Sequence, residues 1–157
     1  MNKQQKSPSH NYNVLICVDL ANHSKKIIKD QLAKTPWIKD ASVTILNGVE
    51  QSVIFDTFTA NLIPSEESFN KSIKAPIINE LENYAKELRE FLPQCEVKTE
   101  CLLYPSIKKA TCDYIEKNNI DLVIAAIESK SSFENLFTSS FTDFVIRHGQ
   151  SSVLVCK

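Results

Sequence analysis

The stretch LVIAAI, Leu122–Ile127, is the longest uninterrupted apolar run in this chain of 157 residues. Six residues fall far short of the ~20 needed to span a bilayer, but they suit a strand covered on both faces inside a parallel sheet. NVLICVD, Asn13–Asp19, reads the same way. Working outward, Ala41–Val49 and Ser152–Cys156 give further strands, and Glu96–Leu103 alternates Val97, Thr99, Cys101 and Leu103 against Lys98 and Glu100, as an edge strand does.

Segments with helical spacing separate these runs. Pro76–Leu92 sets Ile77, Leu81, Tyr84, Ala85, Leu88 and Phe91 on one stripe, and Pro105–Lys117 does the same with Ile107, Ala110, Thr111, Tyr114 and Ile115. Each opens on a proline, which is tolerated at the first helical position because its missing N–H has no partner there. Shorter helices are expected near Ser24–Lys34, stopped by Pro36, and near Ser140–His148. Five strands alternating with four helices predict a single doubly wound α/β domain with right-handed parallel crossovers. Ligands of such folds sit at the carboxyl ends of the strands where the strand order reverses. That directs attention to Val18-Asp19-Leu20 and to Ala125–Lys130.

Two stretches stand outside the scheme. Residues 1–11, MNKQQKSPSHN, read as a disordered tail without the apolar core of a signal peptide. Residues 51–75 form a long connection that carries Val53, Ile54, Phe55, Phe58, Leu62, Ile63 and Phe69. A structureless loop of that length is uncommon, so it is expected to pack partly on the domain or on a partner. The domain proper is expected over residues 12–157.

Composition narrows the function. A chain of this length should hold about eleven glycines at the usual ~7%, yet it has two, Gly48 and Gly149. Walker loops, G-x-G-x-x-G dinucleotide turns and G-x-S-x-G nucleophile elbows are therefore excluded. Lys and Arg number 18 against 19 Asp and Glu, and only Arg89 and Arg147 are arginine, so no nucleic-acid partner is expected. Five cysteines without a C-x-x-C pair read as reduced core thiols, and His10, His23 and His148 form no ligand cluster. A receiver domain would need clustered carboxylates at the end of the third strand, where Leu102-Leu103-Tyr104-Pro105 offers none. No membrane association is expected, and the chain reads as cytoplasmic.

The last third, DLVIAAIESKSSFENLFTSSFTDFVIRHGQSSVLVCK, resembles the universal stress protein family. The family pattern G-2x-G-9x-G-[ST] falls without gaps on Ala126, Ser129, Ser139 and Ser140, and the phrase FVIRHGQSSVLVC follows at the family spacing. YNVLICVDLANHS at 12–24 resembles the family's opening strand with its Asp at Asp19, and Ser42–Val49 resembles its second strand. The resemblance implies an adenine-nucleotide-alpha-hydrolase-like sheet of five parallel strands in the order 3-2-1-4-5. It also implies homodimers formed through the final strand, here Ser151–Val155, and a stress-response role that is not enzymatic. In one branch of the family it implies ATP binding, with Asp19 near the adenosine and the motif's glycines and hydroxyl around ribose and phosphates.

All three motif glycines are replaced here, and only the final hydroxyl, Ser140, survives. A serine forced into left-handed backbone meets a penalty of roughly 1–2 kcal/mol. The candidate nucleotide-binding residues are thus Asp19, Gly48, Ala126, Ser129, Ser139 and Ser140, with Gly48 placed where bare backbone would admit a flat base. Each has a structural alternative. Ser140, with Asp143 three residues on, would cap the last helix, Asp19 would cap the turn after its strand, and Gly149 would cap the last helix at its C-terminus. The expected function is a dimeric stress-response module with a degenerate nucleotide pocket and no cofactor, acting by association with itself or other proteins. The alternative is a serine-lined module for Mg-ATP or another adenine nucleotide, with slow hydrolysis.

Overall fold

A computed structural model describes residues 12–50, 66–126 and 135–157; for His23, Glu66, Glu67, Phe69 and residues 135–140 only the backbone is described. Along the chain run β1 (Asn13–Cys17), α1 (Asn22–Ala33), a 3-10 turn (Pro36–Ile38), β2 (Ser42–Glu50), α2 (Glu66–Phe91), β3 (Glu96–Tyr104), α3 (Ile107–Lys117), β4 (Leu122–Ala126), α4 (Asn135–His148) and β5 (Ser152–Cys156). The strands form one parallel sheet in the order β3-β2-β1-β4-β5, the order that the family resemblance implies. The two continuous apolar runs, β1 and β4, are interior strands, and the alternating strand β3 is an edge.

Alternation along the strands divides the core into two layers. Val14 and Ile16 of β1 join Val43, Ile45 and Ile124 against α1 and α2, where Ile28, Leu81, Tyr84 and Leu88 are buried. Leu15, Leu46 and Val123 point the other way, onto Ile107 and Ile115 of α3 and Val145 of α4. Fully burying one such side chain stabilises by roughly 1.5–3 kcal/mol. At the β3 edge, Thr99 Oγ1 donates to Glu82 Oε1 and Arg89 donates to the Val97 carbonyl, which pins α2 to the edge strand.

Three boundaries differ from the sequence reading. α2 begins at Glu66, so Pro76 lies inside a 26-residue helix and residues 66–75 are not loop. The apolar spacing continues upstream through Ile73, Ile77 and Leu81. Packing along that stripe outweighs the ~3 kcal/mol that an interior proline costs. α3 starts at Ile107, two residues after Pro105, with Ser106 extended (φ −137°) ahead of it. α4 starts at Asn135, five residues before Ser140. Without glycine at the motif positions, nothing interrupts helical backbone there.

The expected tail 1–11 and residues 51–65 lie outside the described residues. Among the described residues no helix is long and apolar enough to cross a membrane.

Candidate functional site

The carboxyl ends of β1, β2 and β4 and the second turn of α4 enclose a cleft of about 240 Å3. Three residues singled out in the sequence meet there: Asp19, Gly48 and Ala126. They come together because register places Cys17 beside Leu46 on one side and beside Ala125 on the other. The chain beyond β1 therefore emerges between two strands that continue past it. Ser129 lies outside the described residues.

Asp19 is exposed, and its Oδ1 accepts the Ala21 N–H at 2.9 Å. The carboxylate thus closes an Asx-type turn between β1 and α1. Leu20 sits between the two partners at φ 67°, a left-handed conformation unusual for a bulky residue. Asn47 fastens the same turn from β2, with Nδ2 donating to the Val18 carbonyl at 2.8 Å. The Val18 N–H in turn donates to the Leu46 carbonyl at 3.0 Å.

Gly48 lines the cleft and also abuts α3. A Cβ built on it would lie 2.5 Å from Cγ2 of Ile107 and 3.1 Å from its Cδ1. The bare backbone makes room for the α3 side chain beside the cleft. Gly149 follows α4 directly, as expected of a C-cap, but its φ is not positive. Its N–H donates to the Val145 carbonyl at 2.7 Å, and a Cβ would press to 2.6 Å from that same oxygen. Glycine is required there for close approach, not for left-handed geometry.

Ser139 and Ser140 are the fifth and sixth residues of α4. Ser140 is therefore not the residue that opens the helix, and the capping-box reading with Asp143 does not apply to this backbone. The next two residues, Phe141 and Thr142, line the cleft, with Phe141 half-buried and Thr142 buried.

Cys17 forms part of the floor, and burial, reinforced by Cys112, pushes its thiol up to about 12. It is protonated near neutral pH and serves as apolar wall rather than nucleophile. All five cysteines are free thiols. The rings of Phe144 and His148 pack at 4.4 Å, tilted by 40°, near the end of α4. Among the described residues no group of three or more His, Cys, Asp or Glu side chains could hold a metal ion.

Sequence reasoning missed Asn47, Ile107, Phe141 and Thr142 as lining residues. Asn47 carried a usable signal, a lone amide at the end of an apolar strand. Phe141 carried none, because a residue on a core stripe looks the same whether or not its edge meets a cleft.

Residues 11–157 match the model of the universal stress protein family. No curated protein matches significantly. Among solved structures, the universal stress protein UspA from Lactobacillus plantarum is 19% identical, with 93% of this chain and 97% of that one covered at a TM-score of 0.64. The universal stress protein from Archaeoglobus fulgidus in complex with dAMP is 11% identical, covers 93% and 98%, and has a TM-score of 0.58. A universal stress family protein from Arabidopsis thaliana with AMP bound is 13% identical, covers 92% and 90%, and has a TM-score of 0.55.

Proposed function

The chain belongs to the universal stress protein family, and from that premise we propose that it is a regulatory module whose cleft has lost the family's grip on phosphate and which acts by associating with itself or with other proteins. The observation that carries this reading is the course of α4, helical from Asn135 through Ser139 and Ser140. From the fifth residue of a helix onward, each N–H is committed to the carbonyl four residues back. The N–H groups of Ser139 and Ser140 are then spent inside the helix instead of facing a phosphate. The unspent N–H groups of the first turn begin at Asn135, about 7.5 Å along the axis from Ser140.

Calorimetric titration with Mg-ATP tests the reading. No saturable binding is expected in the micromolar range, and a dissociation constant near 1 μM, equivalent to about 8 kcal/mol, overturns it.

Association is assigned to β5. Val153, Leu154 and Val155 are half-buried on an edge strand with no charge before Lys157, and unprotected edges of this kind pair with other strands. Sedimentation is expected to show a dimer at micromolar concentration; a monomer contradicts the assignment.

A second reading, an adenine-nucleotide-binding module, draws support from Asp19 and Ala126 lining one cleft and from family relatives solved with AMP and dAMP. It requires that Asp19→Ala and Ser140→Ala abolish nucleotide binding. Retained binding in both variants rejects these residues as the site.

A further inference from the structure

The amino halves of β2 and β3 turn polar side chains toward the α3 side of the sheet. Leu46 and Leu102 pack on that side, and side chains two, four and six residues earlier on a strand share its face. Register sets Ser42 beside Glu96, Thr44 beside Lys98 and Leu46 beside Glu100. Tyr114 of α3 and its C-cap Asn118 wall this patch, leaving a cleft of about 200 Å3 that Asn13 and Ile120 also line. It lies at the amino end of the sheet, away from Asp19 and Ala126. We propose that this cleft binds a small uncharged polyhydroxylated ring, a monosaccharide or cyclic polyol.

Hydrogen-bonding capacity of both signs surrounds the space. Nδ2 of Asn13 donates to the carbonyls of Asn118 and Asn119 at 3.4 and 3.1 Å, and Nδ2 of Asn118 to the Tyr114 carbonyl at 2.9 Å. With their N–H groups engaged, the two amides offer Oδ1 as acceptor. Ser42 and Thr44 bring hydroxyls that donate and accept, and the buried Thr44 hydroxyl faces the Tyr114 phenol. Burial pushes that phenol up, so it keeps its proton near neutral pH and remains a donor.

Charge favours an uncharged ligand over an anion. Lys98 Nζ, the ammonium in the lining, is already paired with Glu96 Oε1 at 3.0 Å. Glu100 stands close enough to Tyr114 to add to the rise of its phenol, and the C-terminal end of α3 carries partial negative charge. Size and shape agree. The cleft lies below the ~300–1,000 Å3 of pockets for larger ligands, and the Tyr114 ring and Ile120 give the C–H face of a single ring an apolar surface.

The test is titration of the 15N-labelled full chain with D-glucose, D-galactose and myo-inositol, followed by two-dimensional NMR. At least one probe is expected to shift the amide signals of Ser42, Thr44, Lys98 and Asn118 saturably, with a dissociation constant of about 0.1–10 mM. Tyr114→Phe keeps the ring and removes the donor, and should weaken binding about three- to tenfold, the loss of one net hydrogen bond. Lys98→Met, at an exposed position, should weaken it by a similar factor. A loss in either variant supports the site, and unchanged affinity in both overturns it.

Glucose 6-phosphate should bind no more tightly than glucose; tenfold tighter binding overturns the uncharged class. Shifts confined to Asp19, Gly48 and Ala126 overturn the location. No saturable shift with any of the three probes, the result for a notch that holds water alone, overturns the proposal. None of these outcomes bears on the Mg-ATP titration or on sedimentation, so the association reading stands or falls separately.

Discussion

At the amino end of the sheet every strand is fastened to its neighbour. The Tyr12 carbonyl accepts from Ser42, that of Ala41 from Glu96, that of Asn13 from Asp121, and that of Asp121 from Ser152. The Asp121 carboxylate adds a 2.7 Å bond from the Asn13 N–H. At the carboxyl end β2 stays paired with β3 as far as Glu50 beside Tyr104 and β4 with β5 as far as Ala126 beside Cys156, β1 is tied to β2 through Val18, Leu46 and Asn47, and β1 parts from β4 after Cys17 beside Ala125. A cleft of about 230 Å3 also lies toward the amino end, lined by Lys39 and by Phe91 to Cys95, but it is not at the point where the strand order turns. The contrast teaches that the ladder is tied across every strand pair at the amino end and parts between β1 and β4 at the carboxyl end. Divergent connections leave polar groups and space where a ligand enters, and the bonded end supplies the rigidity that holds them in place.

The largest effect concerns the floor of the open end. Cys17 is half-buried in that floor, and the little thiolate it carries sets its reactivity. With its thiol raised from 9.0 to about 12, it carries roughly a thousandfold less thiolate than an ordinary cysteine at pH 8. Iodoacetamide with peptide mapping should label it correspondingly slowly. Labelling of Cys17 at the rate of a model thiol would break the comparison. Because the folded state holds this proton more tightly than the unfolded chain, the contribution of Cys17 to stability is complete below pH 9. It is lost as pH rises from 9 toward 12.

Next is Gly48→Val, which drives a side chain into Ile107 and should cost about 1–3 kcal/mol of unfolding free energy. Pairing it with Ile107→Ala should recover part of that loss, a coupling of about 0.5–3 kcal/mol in a double-mutant cycle. Strict additivity would mean that the two do not share the space.

Asp121→Ala and Asp19→Ala compare the two ends directly. The first strands the Asn13 N–H in the laced end and should lower stability by about 1–3 kcal/mol. The second removes an exposed turn bond and should cost no more than about 1 kcal/mol. Equal shifts in urea midpoint would erase the distinction. The smallest effect belongs to Leu20→Gly: relief of about 1–2 kcal/mol of left-handed strain is set against lost packing and about 0.5–1 kcal/mol of added chain entropy. A net change within ~1 kcal/mol is expected, far less than for a leucine in ordinary backbone.

Much of this architecture could be read from particular residues. β1 and β4 announced themselves as interior strands because neither presents a polar face, and Lys98 and Glu100 marked β3 as an edge. Asp19, Gly48 and Ala126 could be grouped because strand ends in a doubly wound sheet converge by topology. The start of α2 was misplaced because Pro76 is a start signal only when no packed stripe runs through it, and Ile73 and Ile77 continue one. The start of α4 was misplaced because the family's motif spacing was preserved while the glycines that enforce its turn were not.

The sequence by itself determined the strands, the helices between them and the doubly wound class, since these follow from apolar periodicity, a local property of the chain, while the strand order and the family came from the resemblance carried by its motifs. Only the tertiary structure decided what the two glycines do. Gly48 makes room for Ile107 and Gly149 for the Val145 carbonyl, and neither neighbour is visible from the residues adjacent in sequence. It likewise decided that Asp19 closes a turn and that Phe141 meets the cleft. Whether an atom has space or a hydrogen-bond partner depends on which distant elements pack against it.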